Sequence, residues 1–141
     1  MSEIDPAALV NSEANQCFVC GPGNAAGLKV QFRLDGDLCR ATWLPEPAHI
    51  GYDNVTHGGL LFSLLDDVMA NWLFLRGERC FTARAEVRYR DKPPIGVPVE
   101  LEGSLVRRRG RLADLSGRAL RADTGAVVVE ANGRFMIEPT N

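Results

Sequence analysis

Residues 58–75, GGLLFSLLDDVMANWLFL, decide the fold. Only Ser63, Asp66, Asp67 and Asn71 interrupt the apolar run after the two glycines, and Arg76-Gly77 then supplies a basic last turn and a stop glycine. The pattern predicts a helix that is hydrophobic nearly all round. Such a helix must be buried on most sides.

On the C-terminal side, residues 82–90 alternate, with Ala83, Ala85, Val87 and Tyr89 on one face and Arg84, Glu86, Arg88 and Arg90 on the other. Period two recurs in residues 97–105 and 127–137, and residues 111–121 form a weaker strand joined to its predecessor around Gly110. On the N-terminal side, Pro45, Pro47, Gly51 and Asn54 keep residues 45–56 irregular, the kind of segment that often carries function. Residues 28–34 and 38–44 flank Asp35-Gly36-Asp37 and read as a hairpin. Residues 1–16 form an N-terminal polar segment with a short helix around 6–10, and residues 17–141 form a single domain.

Two strands, one central helix and about four long antiparallel strands make an α+β layout, a curved antiparallel sheet wrapped around one long central helix. One sheet cannot cover a helix that is apolar all round. A second copy is expected to cover the rest, giving a homodimer or a dimer of dimers.

A chain of 141 residues with 45% hydrophobic content suits one domain with a substantial core. The net charge of -2 gives no field for nonspecific binding to nucleic acid or an anionic membrane. No apolar run reaches the roughly eighteen residues of a membrane span. The first residues also lack a basic, then apolar, leader pattern, so a cytoplasmic protein is expected. Cys17, Cys20, Cys39 and Cys80 read as reduced thiols. Cys17 and Cys20 have the spacing of half a zinc site, but no second close pair of Cys or His follows, so neither metal nor cofactor is expected.

His57-Gly58-Gly59 sits where the loop enters the helix. The first N–H groups of a helix lack intrahelical partners and carry the positive end of its dipole, which suits a developing oxyanion. Asp67 aligns with Ser63 and Asn71 at four-residue intervals, a polar stripe facing water or a subunit boundary. Asp66 instead neighbours Phe62, Met69, Ala70 and Leu73. A carboxylate so placed loses hydration and becomes more basic, as a general base or nucleophile requires. Arg107, Arg108, Arg109 and Arg111 lie at a strand-to-strand turn, as a solvated loop or a phosphate-binding cluster.

His57-Gly58-Gly59 with Asp66 nine positions after the histidine resembles the hotdog-fold thioesterases of the phenylacetate-pathway type, and Cys17-x-x-Cys20-Gly21, Asn24 and Gly27-Leu28 resemble the N-terminal signature of one bacterial branch. The resemblance, over about residues 17–137, implies hydrolysis of a small or medium acyl-CoA, aromatic acyl groups included, to free acid and CoA. It implies Asp66 as general base or nucleophile, the Gly59 N–H as oxyanion donor and His57 near the thioester. Thr82 falls where relatives carry a water-positioning hydroxyl, contributed by the partner subunit. Gly51 stands where some relatives have a polar residue, a departure that leaves open whether Asn54 takes over that task. Gly58, Phe62 and Ser63 would line the acyl site, and the arginines would hold the CoA nucleotide. Two alternatives stand beside this reading. One is a non-catalytic acyl-CoA-binding module, and the other a hydratase built on His49, for which the matching helix position, Ser63, lacks an acid.

Overall fold

Helix α1 (Gly58–Phe74) forms where the apolar run places it, in a computed structural model that describes residues 12–139. The short helix expected around residues 6–10 lies outside that range. His57 caps the start, its imidazole accepting the Gly59 N–H. At the other end Gly77 takes a φ of 87°, letting its own N–H reach the Phe74 carbonyl and that of Glu78 reach Leu73. Arg76 seals this end by donating to the Trp72 carbonyl at 2.8 Å and stacking on the Trp72 ring.

Six strands follow the antiparallel order expected: β1 (Arg33–Asp35), β2 (Leu38–Trp43), β3 (Cys80–Tyr89), β4 (Val99–Arg109), β5 (Leu112–Arg121) and β6 (Val127–Ile137). They form one sheet in the order β1-β2-β4-β5-β6-β3. The first strand is much shorter than the expected 28–34. Lys29 takes a positive φ, and the Leu28 and Val30 N–H groups bond to Phe18 and Val19 instead of to a sheet neighbour.

The inner face of the sheet packs on α1 through Ala41, Trp43, Leu101, Leu115, Val129 and Phe135. On the helix, Leu61, Leu64, Leu65, Val68, Met69 and Leu73 are buried. Residues 17–32 close over the helix from outside the sheet, burying Val19, Cys20, Val30 and Phe32 in the same core. The outer face carries a row of alternating charge, Arg88, Glu130, Arg118, Glu102 and Arg40, in register across five strands. Arg118 and Arg40 reach Glu102 at 2.8 and 3.1 Å. Such a row favours water over a second hydrophobic layer.

The helix approaches the sheet over glycine. A Cβ on Gly103 would lie 2.8 Å from the Val68 carbonyl oxygen and 3.1 Å from its carbonyl carbon. Gly117, its partner on β5, lies beneath Met69. Backbone on both sides cannot yield cheaply, so Gly103→Ala should lower the unfolding free energy by about 1–3 kcal/mol. Urea denaturation checks this as a lower midpoint with an unchanged slope.

Candidate active site

Two adjacent carboxylates leave α1 about 100° apart, as 3.6 residues per turn requires. Asp66 points to the edge strand, where the Thr82 hydroxyl donates to its Oδ1 at 2.6 Å. Thr82 therefore meets Asp66 within one chain, and not across a subunit boundary as the sequence suggested. Burial raises the Asp66 pKa above the ordinary carboxylate value, and the Thr82 hydrogen bond opposes part of that rise.

Asp67 does not face water. It turns toward residues 17–20, with the Cys17 thiol 3.8 Å from its Oδ1 and the Asn71 amide donating to its Oδ2 at 3.1 Å. Asn71 is only 4% exposed and Asp67 is half-buried against residues 17–20, so this part of the stripe lies in a seam with the N-terminal loop, while Ser63 is half-exposed. Burial, helped by Cys17, pushes the Asp67 carboxyl up to about 7. The Ser63 hydroxyl bonds back to the Gly59 carbonyl at 2.9 Å.

At the helix start, the Gly59 N–H donates to His57 Nδ1 at 2.9 Å, so the proton of a neutral imidazole sits on Nε2. No bond from the chain occupies the Gly58 N–H among the described residues. The Tyr89 ring lies across Gly58, where a Cβ would come within 3.3 Å of Cε1, and the Tyr89 hydroxyl donates to the Gly58 carbonyl at 2.8 Å. The alternation of residues 82–90 places Tyr89 on one face of a strand and assigns it no part in the site. Its placement in alternation with Val87 and Ala85, opposite a Gly-Gly pair, is the signal that it covers the helix start. Asn54 is exposed with a φ of 57° in the loop before His57. Phe62 is half-buried, one turn after Gly58.

The arginines are mostly committed to the chain itself. Arg108 grips the buried Glu78 with both guanidinium nitrogens, Arg111 donates to the Ile137 carbonyl at 2.8 Å, and Arg107 lies 3.5 Å from Asp114. Arg109 is exposed and without a hydrogen-bond partner among the described residues. A cleft of about 790 Å³ is lined by Lys29, Arg33, Trp43, Glu46 and His49 among others, and includes neither Asp66 nor Gly59. His49 Nδ1 there accepts the Glu46 N–H at 2.9 Å.

A curved antiparallel sheet wrapped around one long helix is the hotdog fold. The profile of the thioesterase superfamily matches residues 53–128, and the chain belongs to that superfamily. Among solved structures, a thioesterase superfamily protein is 29% identical, with 96% of this chain and 70% of that one covered at a TM-score of 0.80. The PaaI protein of the E. coli phenylacetic acid degradation operon is 14% identical over 81% of this chain and 83% of its own, at a TM-score of 0.74. A hypothetical thioesterase from Streptococcus pneumoniae TIGR4, solved with coenzyme A, is 15% identical over 79% of this chain and 90% of its own, at 0.73. These last two likenesses show the shared fold. No curated protein matches in sequence.

Removing Arg108 strands the Glu78 carboxylate, which is 6% exposed, without its partner. Arg108→Ala should therefore destabilise the protein by about 1–3 kcal/mol. Arg109→Ala should leave the thermal midpoint unchanged, and thermal unfolding of the two variants side by side checks the contrast.

Proposed function

We propose that the protein hydrolyses the thioester of an acyl-CoA, with Asp66 as the base or nucleophile and the Gly58-Gly59 helix start as the oxyanion site. The observation that carries this reading is the half-buried Asp66, raised in pKa and held by Thr82, on the same helix whose first amides are those of Gly58 and Gly59. Asp66 either activates water to attack the thioester carbon, or attacks it directly, expelling CoA thiolate to form a transient anhydride that water then opens to free acid and the regenerated carboxylate. An N–H of the helix start stabilises the charge on the carbonyl oxygen. In the cap geometry His57 holds the Gly59 N–H, so the imidazole must turn aside for that amide to take the substrate. The turned ring then lies beside the acyl group.

Seven residues separate Gly59 from Asp66, about 10 Å along the helix axis. One carbonyl group cannot touch both. The edge strand resolves this. Among the described residues β3 pairs only with β6, leaving ten residues free of proline along an open edge. Thr82 marks the Asp66 end of that edge and Tyr89 the Gly58 end. A twofold pairing of two β3 strands about an axis between Ala85 and Glu86 would set Tyr89 of one copy opposite Thr82 of the other. Each site then combines Asp66 of one copy with the Gly58-Gly59 helix start of its partner.

The acyl group would lie near Phe62, and Arg109 remains available to a CoA phosphate. The reduced state of all four cysteines accords with the cytoplasm.

A thiol-release assay over short, medium and aromatic acyl-CoAs should show turnover that Asp66→Asn abolishes. Binding of CoA esters without thiol release by the wild type would instead make the chain a binding module. The rate should rise with pH through a midpoint above the ordinary carboxylate range, because the ionised carboxylate is the active form and its pKa is raised. Thr82→Val removes the hydrogen bond that lowers that pKa and should move the midpoint to higher pH. A midpoint that does not move would separate Thr82 from the titrating group.

Sharing of the site has its own signature. Gly59→Val, whose side chain would displace the His57 ring, and Asp66→Asn should each be inactive alone. Unfolded together and refolded as a mixture, they should recover about a quarter of wild-type activity, since half the dimers are mixed and each holds one intact site. No recovery would place both groups in a single-chain site.

A further inference from the structure

Asp67, Cys17 and Cys20 have no part in the chemistry assigned to Asp66, yet the fold gathers them from positions 50 residues apart. Their ligand atoms all lie within 4.8 Å of one another. The Cys17 sulfur is 3.8 Å from Asp67 Oδ1 and 3.9 Å from Oδ2. Cys20 is 6% exposed, and no lysine or arginine pairs with Asp67 among the described residues. Asn71 supplies an independent observation. It is 4% exposed, and its Nδ2 bonds to the Asp67 carbonyl at 3.0 Å and to the Asp67 carboxylate, lying 3.9 Å from the Cys20 sulfur. Its Oδ1 is buried without any partner. The amide nitrogen faces the carboxylate and a thiol while its oxygen finds no partner, and turning the amide over beside a bound cation would satisfy that oxygen.

We propose that Cys17, Cys20 and Asp67 bind a zinc-class divalent cation, with a fourth oxygen supplied by water or by Asn71 Oδ1. A tetrahedral ion with sulfur ligands at about 2.3 Å and oxygen at about 2.0–2.2 Å holds its ligands about 3.5–3.8 Å apart. The observed sulfur-to-oxygen distances are already close to that spacing. Two cysteines at C-x-x-C spacing on a tight turn form the chelate, and the Cys20 N–H donates to the Cys17 sulfur at 3.4 Å, which favours a thiolate there. Two sulfurs with a carboxylate suit zinc better than the harder magnesium or calcium. On binding, each thiol loses its proton to solvent and a metal–sulfur bond replaces the S–H bond. No electron is transferred.

The ion would tie residues 17–20 to the helix turn that carries Asp66, pinning the loop that closes over α1. The site does not depend on thioester hydrolysis, and its test does not read activity. The reduced, chelator-treated protein is titrated with cobalt(II), and the bound cobalt is then displaced with zinc(II). Expected are saturation at one ion per chain, a thiolate-to-cobalt charge-transfer band with tetrahedral ligand-field absorption, and a higher thermal midpoint with zinc. Cys17→Ser should lose the charge-transfer intensity of one thiolate and bind zinc at least tenfold more weakly. Asn71→Ala should weaken binding by about 10–100-fold, the usual effect of losing a supporting partner. Cys80→Ser should bind as wild type does. A wild-type protein whose cobalt spectrum lacks the thiolate band, or that binds no zinc at micromolar concentration, overturns the proposal even if every variant fails to fold. Undiminished zinc affinity in a folded Cys17→Ser variant overturns it as well.

Discussion

Everything in this molecule depends on covering one helix. Leu61, Leu64, Leu65, Val68, Met69 and Leu73 project from α1 over more than half its circumference and are each at most 2% exposed. Exposing even a few such side chains would cost about 1.5–3 kcal/mol each, a large fraction of the stability of a domain this size. The sheet therefore curves, the floor beneath the helix is glycine at 103 and 117, and residues 17–32 fold back as a lid on the far side. What the chain leaves uncovered is the flank beside β3 and the start of the helix. Those are the two places where polar groups of α1 remain available for chemistry.

The same constraint sorts the two carboxylates. Adjacent residues on a helix cannot share an environment, so one of any Asp-Asp pair on a buried helix is forced toward packing. Here Asp67 enters the seam with the N-terminal loop, and Asp66 stays at the sheet edge within reach of Thr82. Raised pKa values at both positions have the same first cause, loss of water. The surroundings distinguish them. Asp66 meets a hydroxyl at an open edge, whereas Asp67 meets thiols and an amide inside.

Much of this was legible in the sequence for a physical reason. Periodicity reports which faces are buried, and here it located α1, β3 and β6 closely and singled out Asp66 by its apolar neighbours. The same argument failed for Asp67, because a stripe of Ser63, Asp67 and Asn71 looks identical whether it faces water or a polar loop folded onto it. Nothing local distinguishes the two. The first strand was expected too long for a related reason. Residues 28–32 look like a strand, yet their backbone partners are at 18–19, a pairing set by the lid. The arginine run shows a third limit, since its commitment to Glu78 and the Ile137 carbonyl spans 26–30 positions that no spacing rule connects.

The placement of the Gly-Gly pair follows from these limits as well. A helix start that donates to a substrate must stay unblocked, but a helix start left bare is unstable. His57 reconciles the two. A serine or aspartate cap would hold the same amide with a short side chain and little freedom to leave. An imidazole holds it through one nitrogen on a longer lever, with Gly51 opposite leaving the ring open space. The proposed chemistry requires this cap to open, and the imidazole is the part that must move. Tyr89 bonds the Gly58 carbonyl, and so anchors the helix start by a group that the turning ring does not disturb.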